Sequence, residues 1–264
     1  MRIALCQIDT ILGDVGKNLA KINHYTDKAV YENCDLVIFP ELALTGYSLR
    51  DLTDSVALKT DSELFKQFKT KSREIDIALG YVENGNGYFF NSGAYFSNGE
   101  ILHNHRKKFL PDYGMFEEGR YFASGRSIEA FDTKFGKTAM FICEDSFHIS
   151  SQNDAFKQGV NFLVILSASP FWMDHKGMKP QLWKSLCSNF SQFSSSYSIF
   201  VNRTGFEDGV GFFGGSFVMG PYGSIIKEAE LFKEELLIVD FDESLIEKAK
   251  IMMPILKNED IEIC

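Results

Sequence analysis

The segment between residues 2 and 42 decides the fold of this chain. It contains RIALCQI (2–8), GKNLAKINHYTDKAVYEN (16–33) and DLVIFPEL (35–42). The first and third runs are short and apolar, as buried strands are, and the second has the apolar spacing of an amphipathic helix. Alternation of short β-rich runs with longer helical segments is typical of a layered α/β fold.

The next segments add hairpins to this pattern. A helix around 57–74 precedes a strand at 75–83, and the pair Asn98-Gly99 separates two alternating apolar runs within 88–108. An Asn-Gly pair in that setting predicts a β-hairpin. A second hairpin is predicted at 127–143, and the remaining elements are strands at 160–169, 197–204, 214–226 and 235–241 and a helix near 177–195. About ten or more strands with four or five helices favour two packed sheets flanked by helices over an eightfold βα barrel.

Composition limits the classes of function. With 264 residues, 45% of them hydrophobic, and no linker, the sequence predicts a single domain over 1–264. A net charge of -9 argues against nucleic acid or an anionic membrane as a partner. No run approaches the roughly 18 apolar residues that span a bilayer. Five cysteines without a CxxC pair indicate free thiols and a cytoplasmic location.

Three polar residues stand at the ends of otherwise apolar runs. Glu41 follows DLVIFP, Lys107 lies within HNHRKKFLP, and Cys143 follows TAMFI. Strand ends in α/β sheets converge at a crevice, and a carboxylate, a cation and a thiol form a nucleophilic set there. The acids Glu144 and Asp145 disfavour a Cys143 thiolate, so a reactive Cys143 requires a cation from elsewhere in the chain. These two acids are expected to cap the following turn or to accept backbone hydrogen bonds there.

Longer motifs show a family resemblance over nearly the whole chain. They are FPELALTGY (39–47), HRKKFLPDYGMFEEGRYF (105–122), ICEDSF (142–147) and FVNRTG (200–205). With these motifs the chain resembles the nitrilase, or carbon–nitrogen hydrolase, superfamily. Within that superfamily LPDYGMFEEGRYF, ICED, LSASPF (166–171) and GGSFV (214–218) are most similar to the glutamine-amidase portion of glutamine-dependent NAD synthetases.

The resemblance implies a Glu-Lys-Cys triad on a four-layer αββα sandwich that forms a homodimer or a higher homo-oligomer. Glu41 falls on the family's base and Cys143 on its nucleophile. The family spacing Lys-x-x-Leu selects Lys107, and the adjacent Lys108 is expected to point to the opposite face.

The resemblance also supplies residues around the triad. A second carboxylate of the family falls on Glu118, with Glu117 as its nearest rival. Tyr47 and Phe147 are expected to be walls of the substrate pocket.

The implied reaction is hydrolysis of a small linear amide to a carboxylic acid and ammonia, through an acyl-thioester on Cys143 and without a metal or an organic cofactor. Two alternatives remain: a glutaminase subunit that supplies ammonia to a separate NAD synthetase, or a catalytically idle binding protein of the same fold. Only IMMPILKNEDIEIC (251–264) remains near the end of the sequence, where the synthetases carry an ATP-using domain, so a free-standing amidase is the expectation.

Several motifs have simpler explanations. A cysteine after an apolar strand usually fills the core, which suits Cys6, Cys34 and Cys187. His148 close to Cys143 and the two acids lacks the second half-site that a metal needs. A redox-sensor role for Cys143 lacks a nearby resolving cysteine. The run GVGFFG (209–214) leads into a strand and therefore predicts a glycine-rich loop near the site rather than a dinucleotide site.

Overall fold

Two six-stranded β-sheets stacked face to face form the centre of the molecule, with helices on their outer faces. The computed structural model describes residues 1–171 and 178–259. Its strands are β1 (Arg2–Gln7), β2 (Leu36–Ile38), β3 (Asp76–Gly85), β4 (Tyr88–Ser97), β5 (Glu100–Arg106), β6 (Phe131–Thr133), β7 (Gly136–Ile142), β8 (Phe162–Ser167), β9 (Pro170–Phe171), β10 (Tyr197–Asn202), β11 (Thr204–Glu207), β12 (Val210–Phe213), β13 (Phe217–Met219), β14 (Ile225–Glu228) and β15 (Glu235–Asp240).

The helices follow the strands of each sheet. They are α1 (Val15–Tyr31), α2 (Thr53–Val56), α3 (Glu63–Lys71), α4 (Glu118–Tyr121), α5 (Ile149–Lys157), α6 (Met178–Ser194), α7 (Ser244–Met252) and α8 (Ile255–Asn258), with short 3-10 helices at Arg50–Leu52 and Cys143–Phe147. None of the helices within the described ranges combines the length and the apolar composition needed to cross a membrane.

Both large sheets mix parallel and antiparallel strands. The first has the order β15-β1-β2-β3-β4-β5 and the second the order β14-β13-β10-β8-β7-β6. Strands β1, β2 and β3 are parallel, as are β7, β8 and β10, and the flanking strands are antiparallel. A third, small sheet has the order β11-β12-β9. The carboxyl ends of β2, β7 and β8 therefore lie where polar side chains can meet.

Alternating side chains build the four layers. In β1, Ile3 and Leu5 pack between the two sheets, whereas Ala4 and Cys6 pack against the outer helix α1. Strand β8 shows the same pattern: its side chains point alternately to the interface between the sheets and to the outer helices α5 and α6. A period of two is the geometry of a strand that is covered on both faces. The predicted αββα sandwich is confirmed.

Most of the predicted elements are present. Helix α1 covers most of the predicted 16–33, and strands β6 and β7 form the predicted second hairpin. In the first hairpin, Asn98 and Gly99 have φ angles of 51 and 88. Two consecutive positive φ angles match the type I′ turn that an Asn-Gly pair favours. Position 177, where the predicted helix over 177–195 starts, lies outside the described residues.

Three predicted elements differ from the structure, and the first difference has a clear local cause. Strand β2 ends at Ile38 instead of residue 42, because Pro40 and Glu41 turn over Gly80. A Cβ atom on Gly80 would lie 2.4 Å from the Leu42 nitrogen, so glycine is required for this close approach. The predicted helix over 57–74 is shorter, as α3. The run 209–214 contains strand β12, paired with β11, rather than a loop.

We predict that Leu166→Ala lowers the free energy of unfolding by about 2 to 5 kcal/mol, because Leu166 is fully buried between the two sheets. Urea denaturation followed by circular dichroism measures the change. Leu102→Ala is the matched control, since the Leu102 side chain is 44% exposed, and it should cost less than about 0.5 kcal/mol. Equal costs for the two variants would contradict this description of the core.

Candidate active site

Cys143 lies at a strained turn directly after β7. Its φ angle is 42, in the left-handed region that residues other than glycine rarely adopt, and it begins a 3-10 helix. The side chain is half-buried, and the Ser167 hydroxyl donates to Sγ over 3.6 Å. Ser167 is the last residue of the neighbouring strand β8. The thiol is therefore held at the carboxyl ends of two adjacent parallel strands.

Glu41 is fixed by hydrogen bonds to both of its carboxylate oxygens. Oε1 accepts from Asn91 Nδ2 and from Lys107 Nζ, each at 2.8 Å. Oε2 accepts from the backbone N–H of Ala168, also at 2.8 Å. Two consecutive residues at the end of β8 therefore contact the site: Ser167 binds Cys143, and Ala168 binds Glu41. The base and the thiol predicted from the sequence are brought together here.

Lys107 follows β5, and its ammonium group is buried between two carboxylates. Nζ lies 2.8 Å from Glu41 Oε1 and 2.7 Å from Glu118 Oε1. Burial opposes the charged form, but Glu118 and Glu41 outweigh it and hold the pKa of Lys107 well above its usual value. Lys108 extends elsewhere, to Asp154 Oδ2 at 3.2 Å. Lys107 is therefore a permanent cation at the centre of the site.

Glu118 begins α4 and is buried, whereas Glu117 is exposed. Its Oε1 accepts from the Tyr47 hydroxyl at 2.5 Å as well as from Lys107, and its Oε2 has no hydrogen-bond partner among the described residues. Burial raises the pKa of Glu118 to about 7, because it outweighs the opposing effect of Lys107. Burial and Glu118 also raise the pKa of Tyr47 well above its usual value, so the phenol remains a donor.

The Cys143 thiol is protonated at neutral pH. Burial raises its pKa above that of an ordinary thiol, and Glu41 raises it further. Lys107 and the hydrogen bond from Ser167 act in the opposite direction but do not outweigh these two causes. A reaction at this sulfur therefore requires a group that removes the proton, and Glu41 is the ionisable group whose charge affects the thiol most strongly.

The two predicted pocket walls, Tyr47 and Phe147, have different surroundings. Tyr47 packs edge-on against Phe116 and Phe212, with ring centroids 6.2 and 6.1 Å away. With Glu118 it lines a cavity of about 160 Å³. Phe147 packs edge-on against Trp183 at 4.8 Å, in the apolar cluster between the second sheet and its outer helices. One hydrogen bond connects Tyr47 to Glu118, whereas Phe147 contacts the outer layer.

Asp145 is a buried residue beside the site whose full set of contacts the sequence did not reveal. Its Oδ1 accepts from the backbone N–H groups of Lys108 and Phe109 at 3.0 Å, and its Oδ2 lies 3.0 Å from the Ile142 nitrogen and 2.8 Å from His105 Nε2. The predicted backbone hydrogen bonding of Asp145 is confirmed. It also ties the chain beside Lys107 to the turn that carries Cys143.

Asn91 was also missed by the sequence analysis. Its side-chain amide donates to Glu41, and its backbone carbonyl oxygen accepts from the backbone N–H of Lys107 at 2.8 Å. The available signal was a polar residue inside the apolar run YFFNSGAYF (88–96). Because its partners are distant along the chain, that signal did not identify them.

The fold is of the nitrilase type, as comparison with known proteins shows. Residues 2–251 match the sequence model of the carbon-nitrogen hydrolase family. The chain therefore belongs to the carbon-nitrogen hydrolase family.

Named relatives and solved structures are similar to most of this chain. The chain is 31% identical over 243 residues to a glutamine-dependent NAD(+) synthetase of Acinetobacter baylyi, a match that covers 91% of this chain and 44% of the relative. The solved glutamine-dependent NAD+ synthetase of Acinetobacter baumannii superposes with a TM-score of 0.83 at 29% identity, over 93% of this chain and 46% of that one. A carbon-nitrogen hydrolase of Helicobacter pylori G27 has a TM-score of 0.87 at 22% identity, over 98% and 95% of the two chains. The chain thus spans about half the length of the synthetases that it matches.

We predict that Asp145→Asn lowers the free energy of unfolding by roughly 1 to 3 kcal/mol, because the amide NH2 group cannot accept the bonds that a carboxylate oxygen accepts and leaves a buried donor unpaired. Urea denaturation measures the loss. Asp154→Asn is the control: Asp154 is 41% exposed and pairs with Lys108, and this change should cost about 0 to 1 kcal/mol. The interpretation fails if both variants are equally stable.

Proposed function

We propose that this chain is a cysteine-dependent hydrolase that cleaves the carbon–nitrogen bond of a small, linear, non-peptide amide to a carboxylic acid and ammonia. The observation that carries the proposal is the buried Lys107 ammonium, which lies between Glu41 and Glu118 and whose charge also acts on the Cys143 thiol. Membership of the carbon-nitrogen hydrolase family supports the same class of reaction.

The first half of the proposed cycle forms an acyl-thioester. Because the thiol is protonated, Glu41 takes its proton while Sγ of Cys143 attacks the amide carbon. Lys107 and the backbone N–H of Glu144 stabilise the oxyanion that develops on the carbonyl oxygen. Glu41 then donates the proton to the departing nitrogen, the carbon–nitrogen bond breaks, and ammonia leaves.

The second half releases the acid. Glu41 removes a proton from water as the water oxygen attacks the thioester carbon. The carbon–sulfur bond then breaks, and the Cys143 sulfur takes that proton back from Glu41. Water is the only co-reactant. In this proposal Glu118 orients Lys107, while Tyr47 and Phe147 are walls of the substrate pocket.

We propose further that residues 1–264 act as one carbon–nitrogen hydrolase domain in the cytoplasm, where a nucleophilic thiol stays reduced. Assembly into a homodimer or a higher homo-oligomer is part of the same proposal. Two apolar side chains on the outer helices favour a partner subunit that covers them: Ile149 is 82% exposed and Ile251 is 75% exposed.

A substrate screen tests the proposed function. Purified protein is incubated with small carboxamides, N-carbamoyl compounds and ω-amides, and released ammonia is measured. We expect turnover of at least one amide, and Cys143→Ala should reduce it by more than about 10³-fold because the nucleophile is lost. Absence of ammonia release from all three classes would contradict the proposal.

A second candidate is a glutaminase that supplies ammonia to an NAD synthetase. It is favoured by the 31% identity to a glutamine-dependent NAD(+) synthetase. Glutamine therefore belongs in the screen, with and without an added synthetase. Ammonia release from glutamine that rises with the synthetase would support this candidate, and no release under either condition would exclude it.

Thiol alkylation separates an enzyme from an idle binding protein of the same fold. We predict that iodoacetamide modifies Cys143 much faster than Cys6, Cys34 and Cys187, which are buried free thiols. Glu41→Gln should slow the modification of Cys143 by about 10²-fold at pH 7, because burial still keeps the thiol protonated and the loss of the base outweighs the lower thiol pKa that follows removal of the Glu41 charge. Mass spectrometry of the cysteine peptides gives the rates.

The other cysteines serve as internal controls in the same digest. Their rates should be equal in the wild-type protein and in Glu41→Gln. In Glu41→Gln the rate at Cys143 should rise with pH above the ordinary thiol range, because the thiolate then forms without a base. Equal rates for Cys143 and the three buried cysteines would favour the idle protein.

A further inference from the structure

A buried ion pair in the small sheet lies outside the triad but is connected to it. We propose that Arg203 and Glu207 position the acid–base groups by holding the turn that carries Tyr47, so that the Tyr47 hydroxyl stays on Glu118. This inference rests on the proposed function, which assigns Glu118 and Lys107 to the catalytic machinery.

The Glu207 carboxylate is the centre of the Tyr47 turn. Its Oε1 accepts the backbone N–H groups of Tyr47 and Ser48 at 2.9 and 2.6 Å, and its Oε2 accepts from Arg203 Nη1 at 2.6 Å. Gly46 has a φ of 78, and a Cβ atom on it would lie 2.5 Å from Glu207 Oε2. The turn therefore folds directly around this carboxylate, with no space for a side chain at position 46.

Arg203 supports Tyr47 by a second route as well. Its side chain is 1% exposed, and Nη2 lies 3.2 Å from Asp9 Oδ1 and 3.3 Å from the Thr10 carbonyl oxygen. The guanidinium carbon lies 4.2 Å from the centroid of Phe212, and the Phe212 ring also packs edge-on against the Tyr47 ring. Arg203 thus holds the backbone of Tyr47 through Glu207 and its ring through Phe212.

A buried ion pair is a costly way to stabilise a fold. The two charged groups lose their water, and apolar side chains of similar volume often give equal or greater stability. Charge-assisted hydrogen bonds, however, fix a direction in space more strictly than apolar contacts do. The arrangement of Arg203 and Glu207 is therefore suited to setting the geometry of the Tyr47 turn.

The position of the Tyr47 turn affects the pKa of Glu118 through the Tyr47 hydroxyl. The charged and titratable groups around it are Lys107, Glu41, Tyr47 and Cys143. The Tyr47 hydroxyl donates to the same oxygen as Lys107, and this bond favours the ionised carboxylate. If the turn shifts and the bond is lost, the pKa of Glu118 rises. Glu118 then remains protonated to a higher pH, and its hold on Lys107 weakens.

Carbon-13 NMR titration of glutamate side-chain carboxyl groups measures this effect directly, with Glu118→Gln used to assign the resonance. We expect Glu207→Gln and Tyr47→Phe each to raise the titration midpoint of Glu118 by roughly one pH unit. The double variant should shift it no further than either single variant, because both changes remove the same bond. Asp208→Asn, which removes an exposed ion pair with Arg50 beside Glu207 but none of the contacts of Arg203 or Glu207, should leave the midpoint unchanged.

Two results would overturn the inference. One is a Glu207→Gln protein with a lower melting temperature but an unchanged Glu118 midpoint, which is the behaviour of a purely structural pair. The other is an additive shift in the double variant. If Glu207→Gln does not fold, Glu207→Asp replaces it, because aspartate keeps the charge on a shorter side chain. Glu207→Asp should raise the Glu118 midpoint by a smaller amount. An unchanged midpoint in that variant would overturn the inference. The titration needs no substrate, so a failed amide screen would refute the proposed function without deciding this result.

Discussion

The Lys107 ammonium held between Glu41 and Glu118 is the interaction on which the rest of the site depends. Ionised groups are costly to remove from water, and they remain stable only when each keeps its partners. Glu41 has Asn91 and the Ala168 N–H as additional donors, and Glu118 has the Tyr47 hydroxyl. Two carboxylates nevertheless face one ammonium. Burial, reinforced by Glu41, therefore raises the pKa of Glu118 to about 7, and the protonation of the site responds to any change in the donors around it.

Backbone turns bring Glu41 and Cys143 close to this cation. Cys143 and Leu42, the residue after Glu41, both have φ angles in the left-handed region, 42 and 49. Such conformations persist only where the surroundings enforce them. Gly80 leaves space for the turn at Glu41, and Asp145 binds the turn at Cys143 to the chain beside Lys107. The two stacked sheets supply the rigid base, because strands covered on both faces cannot shift without disrupting two apolar layers.

The small sheet extends this control to the Tyr47 turn. Each of its strands has four residues or fewer. Glu207 lies in β11, Phe212 lies in β12, and Arg203 directly precedes β11. These side chains surround Tyr47 with a carboxylate on its backbone and an aromatic ring on its side. The charge network around Lys107 is thus supported by segments from both large sheets and from the small one. The position of each ionisable group is set by several elements at once.

The sequence by itself determined the layers and the identity of the central residues. Alternating apolar residues and the Asn98-Gly99 turn are local signals, because side-chain direction and turn conformation depend on near neighbours. The motifs around Glu41, Lys107 and Cys143 were also readable, since each is contiguous. Only the tertiary structure decided how these residues are held. The hydrogen bond of Asn91 to Glu41 and the contact of Glu207 with the Tyr47 turn join positions far apart along the chain. No periodicity or spacing encodes such contacts, because they arise from the packing of whole sheets.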